Sequence, residues 1–183
     1  MTDEYVGWHF IAADRRERWG DKRLIEVGQT YTVEPPIKLC ERGLHASERA
    51  IDALNYAPGP IVCKVRLSGR VVRDTDKAVA TVREVMSMAD ATMILHEFAC
   101  ICAEDALHLI EKRGQKADKR SWVAIETKRR WMKGEATDKE LAAARAAARA
   151  AAWDAAWAAA RDAQGVLLER LFNGLLETVE ATA

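Results

Sequence analysis

The chain has 183 residues, a formal net charge of zero, 49% hydrophobic residues and 31% charged residues. This composition is typical of a soluble folded protein with one core and an additional helical segment, and it excludes an intrinsically disordered chain. Because the net charge is zero, no global field attracts the molecule to nucleic acid or to an anionic membrane, so an electrostatic partner must recognise a local patch.

The N-terminal residues are acidic and no long apolar run follows them, so we expect no signal peptide, no membrane span and a cytoplasmic location. The four cysteines, at positions 40, 63, 100 and 102, lack the paired spacing of zinc ligands or of a disulfide framework. We therefore expect four buried, reduced cysteines and no metal site.

Short strands and turns dominate the first third of the chain. The apolar run Val6 to Ala13 predicts an opening strand, and the segments on either side of Gly28 predict a hairpin between Leu24 and Val33. Pro35 and Pro36 close this region, because proline cannot donate a hydrogen bond to a sheet. A further short strand is predicted over residues 78–82.

The segment 40–72 predicts a turn, a short helix and a long strand. Gly43 permits a sharp turn, Ser47 stands at the expected N-cap of a helix, and residues 61–72 alternate as strands do. His45 together with Cys40 or Ser47 supplies the residue types of a catalytic base and its nucleophile. The same residues also have a structural explanation, with Ser47 as a helix cap and Cys40 as a small buried residue.

Helical periodicity replaces the strand pattern after about residue 85. We predict helices over about 86–113, 117–133, 138–164 and 166–180, with Gly165 as a break. Thr137 and Glu140 have the spacing of a capping box, which would start the third of these helices. The predicted fold is therefore α+β, with a small antiparallel β-rich domain and one helix over 1–83, followed by an alanine-rich helical bundle over 84–183.

The alanine-rich segment predicts close helix packing. Small residues follow one line from Leu141 to Val166, which allows a second helix to approach closely, and Trp153 and Trp157 on the adjoining face are expected to be covered. The cover is either the preceding helices or a second copy of the chain, so both a monomer and a dimer through this helix are consistent with the pattern.

Two clusters of charge have alternative interpretations. The stretch from Lys112 to Lys133 has nine basic residues against two acidic ones, together with two tryptophans, which suits a nucleic-acid site or a solvated helix face neutralised by its neighbour. A row of acidic residues and one histidine, with the spacing of i, i+3 and i, i+4 pairs, indicates surface pairing more than a metal site. Its members are Glu97, Glu104, His108 and Glu111.

Residues 43–47, 50–56 and 60–72 resemble the middle of ADP-ribosyltransferase-type domains, in which a strand, a helix with Ala-x-x-Tyr and a second strand grip NAD. The resemblance implies a related or degenerate fold that uses NAD as its ligand. The pocket residues that it implies in this chain are His9, His45, Tyr56 and Glu84.

A domain family that recurs in phage and prophage proteins is similar over roughly residues 5–100. The similarity lies in Leu-Cys-x-x-Gly-Leu-His at 39–45, Ala-Leu-x-Tyr at 53–56, a Val-rich strand ending in glycine at 61–69, and Asp-Lys-x-Val-Ala at 76–80. An alanine-rich helical tail often follows in that family. The resemblance implies a phage origin and an approximate fold.

The expected function is that of a phage-encoded accessory protein without a cofactor, which acts in the host bacterial cytoplasm by binding a host protein complex and inhibiting a bacterial defence system. One alternative is an NAD-dependent ADP-ribosyltransferase-like enzyme or a degenerate relative, and another is nucleic-acid binding through Lys112–Lys133. Large basic and aromatic side chains of the helical region are the expected partner-binding residues. They are Arg120, Arg129, Arg130, Trp131, Arg145 and Arg149.

Overall fold

The computed structural model of the protein describes residues 5–18, 22–114, 116–149 and 157–181, and the side chains at 149 and 157–163 are not described. The chain forms two compact units. The sheet unit contains residues 1–92 together with 165–183, and the helical unit contains residues 93–164. The predicted α+β class is confirmed. The sheet unit extends beyond the expected boundary at 83 and also includes the C-terminal part of the chain.

An antiparallel sheet of five strands forms the sheet unit. The strands are β1 (Tyr5–Ile11), β2 (Thr30–Thr32), β3 (Leu44–Ala46), β4 (Ile61–Arg73) and β5 (Ala78–Asp90). Their order is β1-β4-β5-β2, and β3 also pairs with β5. β2 and β3 pair with successive parts of β5, at Val82–Glu84 and Ala78–Ala80. The segment that contains Gly43 and His45 therefore lies beside the first residues of β5.

The long hairpin of β4 and β5 is the centre of the sheet. Residues 78–90 form one strand, whereas the sequence predicts a strand that ends at 82 and a helix from about 86. The difference has a tertiary cause, because β4 offers backbone partners along the whole length of β5, from Arg73 opposite Ala78 to Ile61 opposite Asp90. Pairing with a neighbour outweighs the helical periodicity of this segment.

The sheet unit also contains a short helix and the part of the C-terminal helix that begins at Gly165. α1 (Ala50–Leu54) is five residues long, and α5 (Trp157–Ala181) continues through Gly165 as one helix, whereas the sequence predicts a break there. The ring of Phe172 lies 5.8 Å from that of Trp8 and 5.6 Å from that of Phe10. All three side chains are buried, so α5 completes the core of the sheet unit.

The predicted helix cap at Ser47 is wrong. The N-cap residue of α1 is Arg49, and no side chain of its own turn caps the helix. The backbone of Ser47 instead pairs with Trp8 of β1 through hydrogen bonds of 2.7 and 2.9 Å. Because the sheet pairing extends to Ser47, α1 begins only at Ala50 and its N-cap position falls on Arg49.

Three further helices follow the sheet: α2 (Thr92–Lys112), α3 (Lys119–Met132) and α4 (Asp138–Arg149). The apolar residues Cys100, Leu107, Ala117 and Ile125 are buried together between α2 and α3. The capping box before α4 is confirmed, because the Thr137 backbone N–H donates to the Glu140 carboxylate at 2.8 Å and the Glu140 N–H donates to the Thr137 hydroxyl at 3.2 Å.

The cysteines and the alanine-rich segment agree only partly with expectation. All four cysteines are free, but only Cys63 and Cys100 are buried, whereas Cys102 is half-buried and Cys40 is exposed. The packing predicted for Trp153 and Trp157 lies outside the described residues and side chains, as does the middle of the alanine-rich helix through which a dimer was considered. Among the described residues, no helix has both the length and the hydrophobicity that crossing a bilayer requires.

Candidate functional site

A cleft of about 930 Å³ opens in the sheet unit, between β1, β3, β5 and the segments that precede and follow α1. This volume lies within the range of small-molecule sites, roughly 300–1,000 Å³. Three of the four pocket residues implied by the sequence line it: His9, His45 and Tyr56. The sheet therefore brings together residues that are up to 47 positions apart, from His9 to Tyr56.

The fourth implied pocket residue, Glu84, does not line the cleft. Its carboxylate accepts a hydrogen bond from Arg66 of β4 at 2.7 Å. Consecutive residues of a strand point to opposite faces of the sheet, and Arg83 beside it lines the cleft. Glu84 therefore cannot act on a ligand in the cleft, and its assignment as a pocket residue is wrong.

Arg83 lies at the floor of the cleft and is 1% exposed. Its guanidinium donates to the carboxylate of Glu17 and, at 3.3 Å, to the backbone carbonyl of His45. Glu17 belongs to the segment that follows β1, and its side chain is 15% exposed. Neither residue was predicted from the sequence. The strand pattern of β5 could have indicated Arg83. It lies an even number of positions from the buried Val79 and Val85, so its side chain is expected on the same, core-facing side of the strand.

His9 of β1 faces the same site. Its Nε2 is enclosed, and no described residue offers that atom a hydrogen-bond partner. Burial, followed by the positive charge of Arg83 and the proximity of His45, holds the pKa of His9 well below its ordinary value. His9 is therefore neutral at pH 7 and presents an unpaired ring nitrogen beside a buried guanidinium.

His45 stabilises the turn that precedes it. Its Nε2 accepts the backbone N–H of Cys40 at 3.1 Å, and its Nδ1 lies 3.1 Å from the carbonyl oxygen of Gly43. Because an amide can only donate, Nε2 must be the acceptor, so the proton resides on Nδ1 and is donated to Gly43. Burial lowers the pKa of His45, although the Gly43 hydrogen bond opposes the shift.

This geometry does not support the nucleophilic pairs that the sequence suggested. Both ring nitrogens of His45 bind backbone groups, so the imidazole cannot take a proton from the Cys40 thiol or the Ser47 hydroxyl without breaking the turn. The other cysteine near the cleft, Cys63, is buried, and burial raises its pKa to about 12. A buried thiol of this kind is a poor nucleophile at neutral pH.

Tyr56 and Lys77 form the mouth of the cleft. The Tyr56 side chain follows α1 and is 48% exposed. Its hydroxyl donates to the Asp76 carboxylate at 2.5 Å and accepts from the Lys77 ammonium at 2.9 Å. The hydrogen bonds with Tyr56 and then with the Cys40 side chain raise the pKa of Lys77, so its positive charge is fixed at this edge. The arrangement presents an aromatic ring next to a cation.

Basic side chains outnumber acidic ones in the lining of the cleft. Five arginine and lysine residues line it against two glutamates, and both histidines have lowered pKa values. The charged lining residues are Arg18, Arg23, Arg42, Lys77 and Arg83, with Glu17 and Glu41. A low-dielectric cleft with an excess of one sign of charge concentrates ligands of the opposite sign. The site is therefore suited to an anionic small molecule.

Four of the six expected partner-binding residues contact other residues of the helical unit: Arg120, Arg129, Arg130 and Trp131. Arg129 of α3 binds the carboxylates of both Glu97 and Glu104 of α2. Arg120 pairs with Asp118, Arg130 donates to the Glu135 carbonyl at 2.9 Å, and the Trp131 indole donates to Asp138 at 2.7 Å. Arg145 is exposed, and the side chain of Arg149 lies outside the described set.

The acidic residues of α2 form ion pairs with neighbouring side chains, as the sequence pattern favoured over a metal site. Glu97 and Glu104 bind Arg129, and His108 Nδ1 lies 3.5 Å from the Glu111 carboxylate. Within the described part of the chain, no three histidine, cysteine, aspartate or glutamate residues are placed to share a metal ion.

Comparison with known proteins gives one finding. A family described as a domain of unknown function (DUF7666) matches residues 16–97, which is less than half of the chain. The matched range begins just before Glu17 and includes His45, Tyr56, Lys77 and Arg83, but it begins after His9. No curated protein and no solved structure shows a match to the chain.

Proposed function

We propose that the sheet unit binds a nucleotide of the NAD class in the cleft, as a degenerate relative of ADP-ribosyltransferase-type domains. The observation that carries the proposal is the position of the buried Arg83 and the enclosed Nε2 of His9 in one cleft with an excess of basic side chains. Buried polar groups of this kind are typical of sites that place a few donors against a specific ligand.

The floor and the mouth of the cleft offer contacts to the two parts of a nucleotide, with Arg83 at the floor and Tyr56 beside Lys77 at the mouth. Phosphate oxygens accept hydrogen bonds from guanidinium and ammonium groups, which Arg83 and Lys77 provide. A base has a flat apolar face, and the half-exposed ring of Tyr56 offers a surface on which it can stack. A ligand with an anion at one end and a ring at the other makes both contacts.

We propose binding without group transfer. Glu84, the candidate for the catalytic carboxylate, pairs with Arg66 outside the cleft, and both ring nitrogens of His45 are engaged by backbone groups. These positions favour a module that recognises a nucleotide over an enzyme that cleaves one. Transfer of label from labelled NAD to a bacterial lysate, abolished by His45→Ala, would establish a transferase instead.

Calorimetric titration of the full chain with NAD, ADP-ribose and adenosine tests the proposal. We expect NAD and ADP-ribose to bind, adenosine to bind more weakly because it lacks phosphate, and Lys77→Gln to weaken NAD binding about tenfold. Lys139→Gln is the matched control, because it removes the same charge from an exposed residue of α4 that does not line the cleft. If neither NAD nor ADP-ribose binds the wild-type protein, the proposal is wrong.

A second candidate is the phage-encoded accessory protein, which would bind an acidic macromolecule in the host bacterial cytoplasm and inhibit a defence complex. The favouring observation is a cluster of exposed basic residues at the connection between α2 and α3: Lys112, Arg113, Lys116 and Lys119. These residues are a better basis for the candidate than Arg129, which two carboxylates already neutralise.

Charge reversal at this cluster tests the second candidate. Lys112→Glu with Arg113→Glu should abolish inhibition of the defence complex in expressing bacteria, whereas Arg130→Ala should leave it intact. A steep salt dependence of binding to DNA or RNA would identify nucleic acid as the acidic partner. Unchanged inhibition by the double variant would eliminate this surface.

A further inference from the structure

The ion pair between Glu17 and Arg83 lies in the wall of the cleft. Arg83 is 1% exposed and comes from the central strand β5, whereas Glu17 comes from the segment after β1 and is 15% exposed. Both residues line the cleft, which is where a ligand would meet them. A charge pair in this position differs from one in a closed core, because a ligand can reach one partner and replace the other.

The guanidinium of Arg83 has unused donor capacity. It has five N–H donors, and the described contacts use one of its terminal nitrogens for the His45 carbonyl and the other for Glu17. Its Nε has no acceptor among the described residues, and the enclosed Nε2 of the neighbouring His9 has no hydrogen-bond partner among them and is a donor in the tautomer that carries the proton there. An anion with several oxygens would satisfy more of these groups than one carboxylate does.

We propose that Glu17 is an internal competitor for the anion subsite of the cleft, and that a phosphate or pyrophosphate group displaces it from Arg83. The carboxylate occupies the position of the ligand's anionic group in the free protein and moves away when that group binds. The inference rests on the proposed function for the identity of the ligand, but the subsite itself is defined by Arg83, His9 and Glu17.

The attachment of Glu17 permits this exchange. Glu17 lies in the segment that connects β1 to β2, outside the five strands of the sheet. Its backbone N–H donates to the Arg23 carbonyl of the same segment at 3.1 Å. Glu41, the other glutamate in the lining, is 61% exposed, and its carboxylate lies 2.6 Å from the Lys38 ammonium. Among the described contacts, Glu17 supplies the carboxylate at Arg83 and Glu41 does not.

Titration of the full chain with inorganic pyrophosphate tests the inference. Glu17→Gln should bind pyrophosphate about tenfold more tightly than the wild type, because the competing negative charge is gone. Glu41→Gln removes the same charge from the same cleft, away from Arg83, and should change the affinity by no more than about twofold because that site is solvent-exposed. Equal gains in the two variants would show a general charge effect and overturn the inference.

The result with pyrophosphate is independent of the result with NAD. If Glu17→Gln binds pyrophosphate more tightly but NAD does not bind, the subsite stands and the proposed nucleotide ligand falls. If wild type binds NAD and Glu17→Gln shows no gain in affinity for either ligand, the inference falls and the proposed function stands. If no variant binds either ligand, both are wrong.

Removal of Glu17 leaves a buried guanidinium without its anion, so the variant is expected to be less stable. Thermal unfolding with and without pyrophosphate therefore provides a second measurement. Pyrophosphate should raise the midpoint of Glu17→Gln more than that of wild type, or restore folding if the variant does not fold alone. Equal effects of pyrophosphate and of sodium chloride at the same ionic strength would overturn the inference.

Discussion

The carboxylate of Glu169 in α5 accepts a hydrogen bond of 2.8 Å from the backbone N–H of Ala50, the first residue of α1. The two residues are 119 positions apart. Because α1 has no side-chain cap from its own turn, a carboxylate from the C-terminal helix satisfies one of its free amides and lies at the positive end of its dipole.

Replacement of this carboxylate should destabilise the sheet unit. We expect Glu169→Ala to lower the free energy of unfolding by about 1–2 kcal/mol, which is the usual cost of losing a helix cap. Urea unfolding followed by circular dichroism measures the change. Glu177→Ala on the exposed face of the same helix is the control and should have little effect. Equal losses in both variants would mean that the contact with Ala50 contributes nothing.

Gly43 occupies a position that no other residue fits. Its φ angle is +130°, and a Cβ atom would lie 2.3 Å from the Val79 Cγ2 atom. We expect Gly43→Ala to destabilise the protein by at least about 2 kcal/mol, from backbone strain and overpacking together. Gly28→Ala, at φ +78° with open space around the added atom, should cost only about 1 kcal/mol. Thermal unfolding of the two variants distinguishes strain alone from strain with a clash.

The histidines of the cleft should make stability depend on pH. Burial holds the pKa values of His9 and His45 below that of an unfolded histidine, about 6.5, so the unfolded chain binds protons first as the pH falls. The free energy of unfolding should therefore decrease as the pH drops below about 6.5.

Denaturant titrations at pH 7.5 and pH 5 measure this effect. We expect His9→Gln to lose less stability between the two pH values than wild type does, because the group that is neutral in the fold is absent. His108→Gln is the control, since His108 is exposed on α2 and does not line the cleft. A wild-type pH dependence in His9→Gln would contradict the argument.

Arg129 should act as a structural residue of the helical unit. Hydrogen bonds and ion pairs with Glu97 and Glu104 join α3 to α2 and raise the pKa of the guanidinium. We expect Arg129→Ala to lower the free energy of unfolding by about 1–2 kcal/mol, because two carboxylates lose their partner at once. The exposed Arg130→Ala should cost less than about 0.5 kcal/mol. If Arg130 proved the more costly of the two, the ion-pair network would not be what joins the helices.

Local patterns of the sequence predicted local structure well. The Thr137 and Glu140 spacing fixed the start of α4, because a capping box involves only neighbouring residues. The same kind of reasoning failed at Ser47 and at Met88, where the chain has a distant strand as its partner. Pairing across a sheet depends on which segments meet, and a single sequence does not contain that information.

The candidate site was predictable in part. His9, His45 and Tyr56 were identified from a resemblance, and they do line one cleft. Glu84 was assigned to the wrong face of the sheet, because the exact register of β5 was not known. In that register Arg83 faces the cleft, so the adjacent Glu84 faces the opposite side. The contact of Glu17 with Arg83 joins a connecting segment to a strand 66 positions away, and no spacing rule indicates such a pair.

The sheet unit is assembled from two stretches of chain with the helical unit between them. When the ribosome has released β5, Phe172 and Glu169 have not yet been translated, so Trp8 and Phe10 have no aromatic partner and α1 has no cap. Synthesis of the intervening residues takes roughly 4–15 s at typical elongation rates. The complete core of the sheet unit can therefore form only after this part of α5 has been synthesised.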